Sequence, residues 1–238
     1  MARRSSRDRG IPEPTIARLP IYQRIAAELL RAGFATISSE QLGRLAGVTA
    51  AKVRKDLSAI GSLGTRGTGY DAAALIDSIG ATMGAGRRWA VVIAGAGNLG
   101  RALVNTRGFL TDGYDLVGLV DSDPEIQGTS IGGAEVTSFD ALADRLDEPV
   151  DIGVITVPAR SAQAVADGLI ALGAHSLLNF APAVLSAPPQ VRVRYVDLSI
   201  ELQVLSHHAS ATNETGLLSS VGIQPIVSAD AEPGRDTP

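Results

Sequence analysis

From Trp89 onward the chain alternates short apolar runs with amphipathic stretches. Trp89–Ala94, Leu116–Val120, Asp151–Val157, Ser176–Phe180 and Val191–Val196 each suit a buried strand, and the segments between them carry helical spacing. Strands and helices in alternation predict βαβ units and a parallel sheet. Residues 11–83 read instead as helices, interrupted once by a Gly-rich stretch from Gly61 to Gly69. Ser38, followed by Gln41, makes a capping box that opens a helix running to Ala46, which Gly47 ends. Thr49 is the N-cap of a second helix, Ala50–Ile60. Farther on, Leu198, Leu202 and Leu205 fall at i, i+4 and i+7 and predict an amphipathic helix over 197–208.

These patterns divide the chain into an aperiodic tail at 1–10, a helical domain at 11–83, and an α/β domain at 84–196 entered through Gly84-Ala85-Gly86-Arg87-Arg88. The amphipathic helix and a tail at 209–238 follow. Both tails are expected to be disordered, the second because Ser, Thr, Pro, Gly and acids bury too little apolar surface to fold alone.

Two short helices joined by a tight, Gly-containing turn make a helix-turn-helix. On the second helix, Val53, Leu57 and Ile60 share the buried face, while Ala51, Arg54, Lys55 and Ser58 project from the other side. Small residues permit close approach, and cations suit phosphates and guanine edges, so this face has the chemistry of a recognition helix. A solvated basic face looks similar. The following Gly64-Thr65-Arg66-Gly67-Thr68-Gly69 suits a turn between two short strands, a wing whose Thr65, Arg66 and Gly67 sit at the tip. An Arg there fits a narrow, strongly negative minor groove.

Charge supports that division of labour. The whole chain of 238 residues carries −4. Residues 1–66 hold twelve Lys and Arg against five acids, a surplus of seven, which leaves −11 on the remainder. A basic first third points to a polyanion.

After the strand Ala90–Ala94 comes Gly95-Ala96-Gly97-Asn98-Leu99-Gly100 and then an amphipathic helix, the G-x-G-x-x-G fingerprint in its strand–turn–helix setting. Gly95 permits the tight turn, Gly97 lets the backbone approach a pyrophosphate, and Gly100 lets helix and strand pack closely. The helix N-terminus offers free N–H groups to phosphates. The next strand ends in Asp121, 21 residues after Gly100. A carboxylate there accepts ribose hydroxyls and repels a 2′-phosphate, favouring NAD(H) over NADP(H). The alternative is a Gly-rich turn with no ligand.

Other chemistry is missing. The chain has no Cys, which excludes a disulfide scaffold, a thiolate metal site and a cysteine nucleophile. Only His175, His207 and His208 offer imidazoles. His175 reads as a surface or strand-start residue, and the pair at 207–208 as partners of a helix C-terminus. No carboxylate cluster or His spacing suggests a metal, and nothing after Val196 leaves room for a catalytic domain. A dinucleotide site without acid–base machinery reads as a sensor and not an enzyme. With no 18-residue apolar run and no apolar leader, the chain is expected to be cytoplasmic and away from membranes.

Several motifs then fall in one order: Val53-Arg54-Lys55-Asp56-Leu57-Ser58, Gly64-Thr65-Arg66-Gly67, the Gly95–Gly100 fingerprint and Ile155-Thr156-Val157-Pro158. Leu178-Asn179-Phe180-Ala181-Pro182 and Val196-Asp197-Leu198-Ser199-Ile200-Glu201-Leu202-Gln203 follow. Together they resemble the Rex family of redox-sensing transcriptional repressors, over residues 11–207. The resemblance implies a winged helix followed by a Rossmann-like NAD(H) domain and a C-terminal helix exchanged between subunits. It implies a homodimer on a palindromic operator, released by NADH, with NAD+ competing. Carried over residue by residue, Arg54, Lys55, Ser58 and Arg66 contact DNA. Gly95, Gly97, Asn98, Leu99, Gly100 and Asp121, with Ala96 in the same turn, hold the adenosine diphosphate half. Thr156, Val157, Pro158, Asn179, Phe180 and Ala181 line the nicotinamide end. Arg24 and Asp197 match an intersubunit ion pair, and Leu198 a residue that fills a partner pocket. On the residues alone, Arg24 is equally a solvated helix Arg, Asp197 an N-cap, and the last helix packed on its own domain. Thr106 and Leu198 stand where some family members have Tyr and Phe, which removes a Tyr-based switch and ring stacking. Two other classes stay open: an NAD-dependent oxidoreductase, and a nucleotide-binding module, with CoA as a candidate ligand, that docks protein partners.

Overall fold

The computed structural model describes residues 10–61, 64–65, 69–106, 110 and 113–220. Residues 1–9, the wing tip Arg66 and Gly67, and residues 221–238 lie outside that description. The chain divides into two compact units, Met1–Arg88 and Trp89–Pro238. Residues 84–88, expected to open the second domain, therefore go with the first. Their backbone is tied to the preceding helix end, where the Ala85 N–H donates to the Gly80 carbonyl at 2.8 Å.

The first unit runs α1 (Glu13–Ile16), α2 (Leu19–Arg31), β1 (Thr36–Ile37), α3 (Ser39–Ala46), α4 (Ala50–Ile60), β2 (Gly64–Thr65), β3 (Gly69–Asp71) and α5 (Ala72–Thr82). Both caps form as read from the sequence. Ser38 Oγ accepts from Gln41 N at 3.1 Å while Gln41 Oε1 accepts from Ser38 N at 2.8 Å. Thr49 Oγ1 accepts from Lys52 N at 3.2 Å. Leu19, Tyr22, Ile25 and Ala26 recur on one face of α2 and meet Leu42, Val53, Leu57, Leu75 and Ile79 in a single core. The strands form a small antiparallel sheet in the order β1-β3-β2, with β2 and β3 pairing as the flanks of a wing.

The second unit holds β4 (Trp89–Ala94), α6 (Asn98–Asn105), β5 (Tyr114–Val120), β6 (Ser130–Ile131), β7 (Ala134–Thr137), α7 (Phe139–Ala143), β8 (Ile152–Ile155), α8 (Ala159–Ala171), β9 (Ser176–Asn179), β10 (Arg192–Tyr195) and α9 (Leu198–Ser220). The sheet order is β10-β9-β8-β4-β5-β7-β6, parallel throughout except for the β6–β7 hairpin. Apart from β6 this is the doubly wound order, whose connections reverse between β4 and β8. Strands β4 and β8 are apolar throughout because both faces are covered. Val91 and Ile93 enter one core cluster, Val92 and Ala94 the other.

Three expectations need correcting. The hairpin β6–β7 had no counterpart in the strand assignment, because segments of two and four residues with polar neighbours give no apolar run. The chain leaves β8 and β9 sooner than expected, so Thr156, Val157 and Phe180 are loop residues just past strand ends. The last helix runs to Ser220 and does not end at residue 208, so the tail expected from 209 is helical as far as 220. Once the amphipathic turns from Leu198 have nucleated the helix, propagation adds one hydrogen bond per residue fixed, and no Pro interrupts the segment before Pro225. His207 and His208 accordingly sit inside α9 and not at its C-terminus. Leu198, Ile200, Leu202, Val204 and Leu205 are all exposed on α9.

Candidate DNA-reading face and dinucleotide site

On α4 the faces fall as the spacing requires. Val53 and Leu57 are buried, Ile60 packs against the same core, and Ala51, Arg54, Lys55 and Ser58 are exposed. Two of the exposed side chains are already engaged. Ser58 Oγ donates to the Lys55 carbonyl at 2.8 Å. Arg54 Nη1 donates to Ser39 Oγ at 2.8 Å and to Glu40 Oε1 at 3.1 Å, both at the start of α3. Neither Ser39 nor Glu40 was singled out from the sequence.

The inner face of α4 holds a second unanticipated feature. Asp56 is only 2% exposed and its carboxylate takes four hydrogen bonds. Arg18 donates twice, from Nε at 2.6 Å and Nη2 at 2.8 Å. Thr15 Oγ1 and Tyr22 Oη each donate at 2.9 Å. Burial pushes the Asp56 carboxyl up, but the bonds from Arg18, Thr15 and Tyr22 outweigh it and hold the group below the usual carboxylate range. The Asp56 bond correspondingly raises Arg18. Burial first, and then the Asp56 bond, push the Tyr22 hydroxyl up to about 12. The network clamps α4 to α1 and α2. Its signal in the sequence was a lone carboxylate between Val53 and Leu57, on the face assigned to the core.

In the second unit, strand register assembles the site. Ala94 pairs with Val120 on one side and Ile155 on the other, and Ile155 pairs with Asn179. The next residues, Asp121, Gly95, Thr156 and Phe180, therefore stand side by side at the carboxyl edge of the sheet, across the point where the connections reverse. Ligands of doubly wound sheets bind in that crevice.

Each glycine of the fingerprint has its own reason. Gly95 has φ +107°, and a Cβ there would meet the Thr156 carbonyl oxygen at 2.7 Å. A Cβ at Gly100 would run into the Gly95 carbonyl. A Cβ at Gly97 would meet nothing within 4 Å, so the start of α6 opens onto free space. Asn98 and Leu99, the first residues of α6, are exposed there, and the first N–H groups of a helix have no partner within it. The side chains around the turn brace it. Asp121 Oδ2 accepts from Ala96 N at 2.7 Å and Oδ1 from Asp123 N at 3.0 Å. The Thr156 hydroxyl donates between the Ala94 and Gly95 carbonyls, at 2.9 and 2.8 Å. Arg101, not anticipated, donates from Nε to the Ala96 carbonyl at 2.8 Å.

The loop after β9 is braced from within. Asn179 is 1% exposed; its amide donates to the Ala181 and Ala183 carbonyls and its Oδ1 accepts from Ala181 N. With its polar atoms spent, Asn179 shapes this loop through the backbone. A cleft of about 370 Å3 lies beside it, between Ala181, Pro182 and Val184 on one wall and Tyr195, Asp197 and Ile200 on the other. Pro158 is the N-cap of α8. Asp197 accepts from Ser199 N at 2.9 Å, the N-cap geometry, and also from the Ser199 hydroxyl; these bonds hold its carboxyl below the usual range. Leu198 is 70% exposed, Arg24 is exposed on α2, and Thr106 closes α6 with its hydroxyl on the Ala102 carbonyl at 2.6 Å. Among the described residues no cluster of His and carboxylates has metal-site geometry. No described helix is long and apolar enough to cross a membrane.

Comparison with known proteins gives consistent results across both units. Residues 10–58 match a family described as "Putative DNA-binding protein N-terminus" and residues 87–183 one described as "CoA binding domain". The redox-sensing transcriptional repressor Rex of Streptomyces griseus is 50% identical over 208 residues, covering 87% of this chain and 82% of that protein. The Rex of Syntrophomonas wolfei is 42% identical over 204 residues, covering 85% and 97%. Among solved structures, RSP in complex with β-NAD+ and operator DNA is 32% identical with a TM-score of 0.78, covering 91% of this chain and 100% of that one. RSP in complex with β-NADH is likewise 32% identical, with a TM-score of 0.76 and coverage of 90% and 100%.

Proposed function

This chain belongs to the Rex family of redox-sensing transcriptional repressors, and on that premise we propose that it binds a palindromic operator as a homodimer and leaves it when NADH enters the crevice at Gly95–Gly100. It is a repressor and not an enzyme, and its effectors are NADH and NAD+. The observation that carries the reading is the register at the carboxyl edge of the second sheet, which brings the glycine turn, Asp121 and Thr156 together.

The residues fit the ligand. Gly95, Ala96, Gly97, Asn98, Leu99 and Gly100 give a diphosphate an open backbone cradle at a helix N-terminus. Asp121 accepts the ribose hydroxyls with lone pairs that its two backbone bonds leave free. Thr156, Val157, Pro158, Asn179, Phe180 and Ala181 line the nicotinamide end. None of them carries a charge, so the pocket favours the neutral dihydronicotinamide over the cationic ring, whose burial costs its hydration. Ala51, Arg54, Lys55 and Ser58 face the major groove, and Thr65, Arg66 and Gly67 the minor groove. Exposed apolar positions on α9, Leu198 among them, supply the subunit contact, and Asp197 pairs with Arg24 of the second copy. Such a protein works in the cytoplasm, where its operator and its effectors are.

The test is a gel-shift titration with a palindromic duplex selected from a random library. Bound duplex is released by NADH and retained with NAD+. By linkage, the duplex weakens NADH binding by the factor with which NADH weakens the complex. Selection of no duplex, or release by both nucleotides alike, overturns the proposal. A chain ending at Val196 tests the role of α9: it loses dimerisation, and persistence of the dimer in sedimentation overturns that part.

A further inference from the structure

Arg54 points outward from α4, yet it does not hang free. Its Nη1 is tied to Ser39 Oγ and Glu40 Oε1, and Ser39 Oγ in turn lies 3.3 Å from the same Glu40 oxygen. Lys55, its neighbour, makes no such contact among the described residues. We propose that Glu40, with Ser39, is a positioning residue for sequence readout, aiming Arg54 at a guanine edge and keeping it off the phosphates. The inference rests on the reading of α4 as the recognition helix.

A guanidinium presents five N–H donors in one rigid plane. Anchoring Nη1 leaves Nε and Nη2 for paired bonds to O6 and N7 of guanine, the geometry that distinguishes this base in the major groove. The tether also fixes the rotamer in advance, so less side-chain freedom is lost on the DNA. A phosphate drawn to the same cation meets the Glu40 carboxylate, whereas a neutral base edge does not. In water the pair is exposed, with 55% of the Arg54 and 63% of the Glu40 side chain accessible, and such pairs add little to stability. Displacing water from the groove strengthens the same contact as the local dielectric falls. Arg54 and Lys55 thus take different tasks: one reads a base, the other neutralises a phosphate.

The test selects binders from a randomised duplex library with wild type, Glu40→Gln and Arg54→Lys, alongside affinity for one fixed, unselected duplex at several salt concentrations. Wild type is expected to select guanine at one position of each half-site. Glu40→Gln loses about tenfold or more of that discrimination, within the span of one paired Arg–guanine contact. The other positions keep their preferences. Arg54→Lys loses the same position, since a point charge lacks the planar fork. An unchanged Glu40→Gln profile overturns the proposal. So does a uniform gain in affinity with a steeper salt slope, which makes Glu40 only a repelling charge, or an equal loss at every position, which makes it only a structural tie. If wild type selects no sequence at all, the reading of α4 itself fails, before any variant is compared.

Discussion

Asp56 and Gly100 hold two working surfaces in place by different chemistry. Asp56 anchors α4, the proposed recognition helix, through side chains, a buried carboxylate under Arg18, Thr15 and Tyr22. Gly100 anchors the glycine turn through the absence of a side chain, which lets α6 close on the Gly95 carbonyl. On the proposed reading, Arg54 and Lys55 must be presented to DNA at a set rotation, and the ionic clamp on the opposite face of α4 fixes that rotation. A diphosphate cradle must bring backbone N–H groups close to the ligand, and any Cβ is in the way. The first unit is therefore exposed to changes of charge, and the second to changes of volume.

The largest effect is expected where a charge is stranded. Asp56→Ala leaves Arg18 unpaired and two hydroxyls without their acceptor, costing the first unit about 3–5 kcal/mol. Denaturant unfolding is expected to show the loss, together with weakened DNA binding and unaltered NADH binding in the second unit. Unchanged unfolding removes the charge half of the comparison. Gly100→Ala tests the volume half. Overpacking at this closed contact is expected to cost about 1–3 kcal/mol and to weaken NADH binding by tenfold or more. DNA binding persists, and its release needs tenfold or more NADH. Full NADH affinity in this variant contradicts the close-packing role.

The clamp also has a pH signature. The Tyr22 hydroxyl is raised from its ordinary value near 10 to about 12, so its contribution is complete below about pH 10 and is lost as pH rises towards 12. That loss is at most about 3 kcal/mol, from a shift of about two pH units. Asp56 has the opposite sign: its lowered pKa gives stability present above about pH 4 and lost in stronger acid. Tyr22→Phe is expected to flatten the alkaline limb of an unfolding-against-pH curve and to shrink the acid limb only in part, because Arg18 and Thr15 still hold Asp56 low. A persistent alkaline limb assigns it to another group.

The smallest effect is the finest test of the dinucleotide site. If Asp121 holds the ribose as proposed, Asp121→Ala removes both the hydroxyl acceptor and the charge that repels a 2′-phosphate. The ratio of NADPH to NADH needed to release DNA is expected to fall about tenfold, or about 1.4 kcal/mol. A wild-type protein that answers equally to both nucleotides refutes this role for Asp121.

What the amino-acid sequence determined by itself is local. The caps at Ser38 and Thr49 act within three residues, and Gly95, Gly97 and Gly100 act within one turn, so strand, turn and helix were legible without any partner. The spacing of Val53 and Leu57 likewise settled which side of α4 faces inward. Only the tertiary structure decided what those faces meet. Asp121 and Thr156 flank Gly95 because β5 and β8 pair with β4 in one register, and register depends on the packing of both sheet faces. Asp56 is legible as a carboxylate on an apolar face, but its partners lie 34 to 41 residues away, on α1 and α2. Arg54 looks like any solvated cation until α3 brings Glu40 against it. Hydrogen bonds within four residues are written in the order of the chain; pairings across the fold depend on which elements pack together.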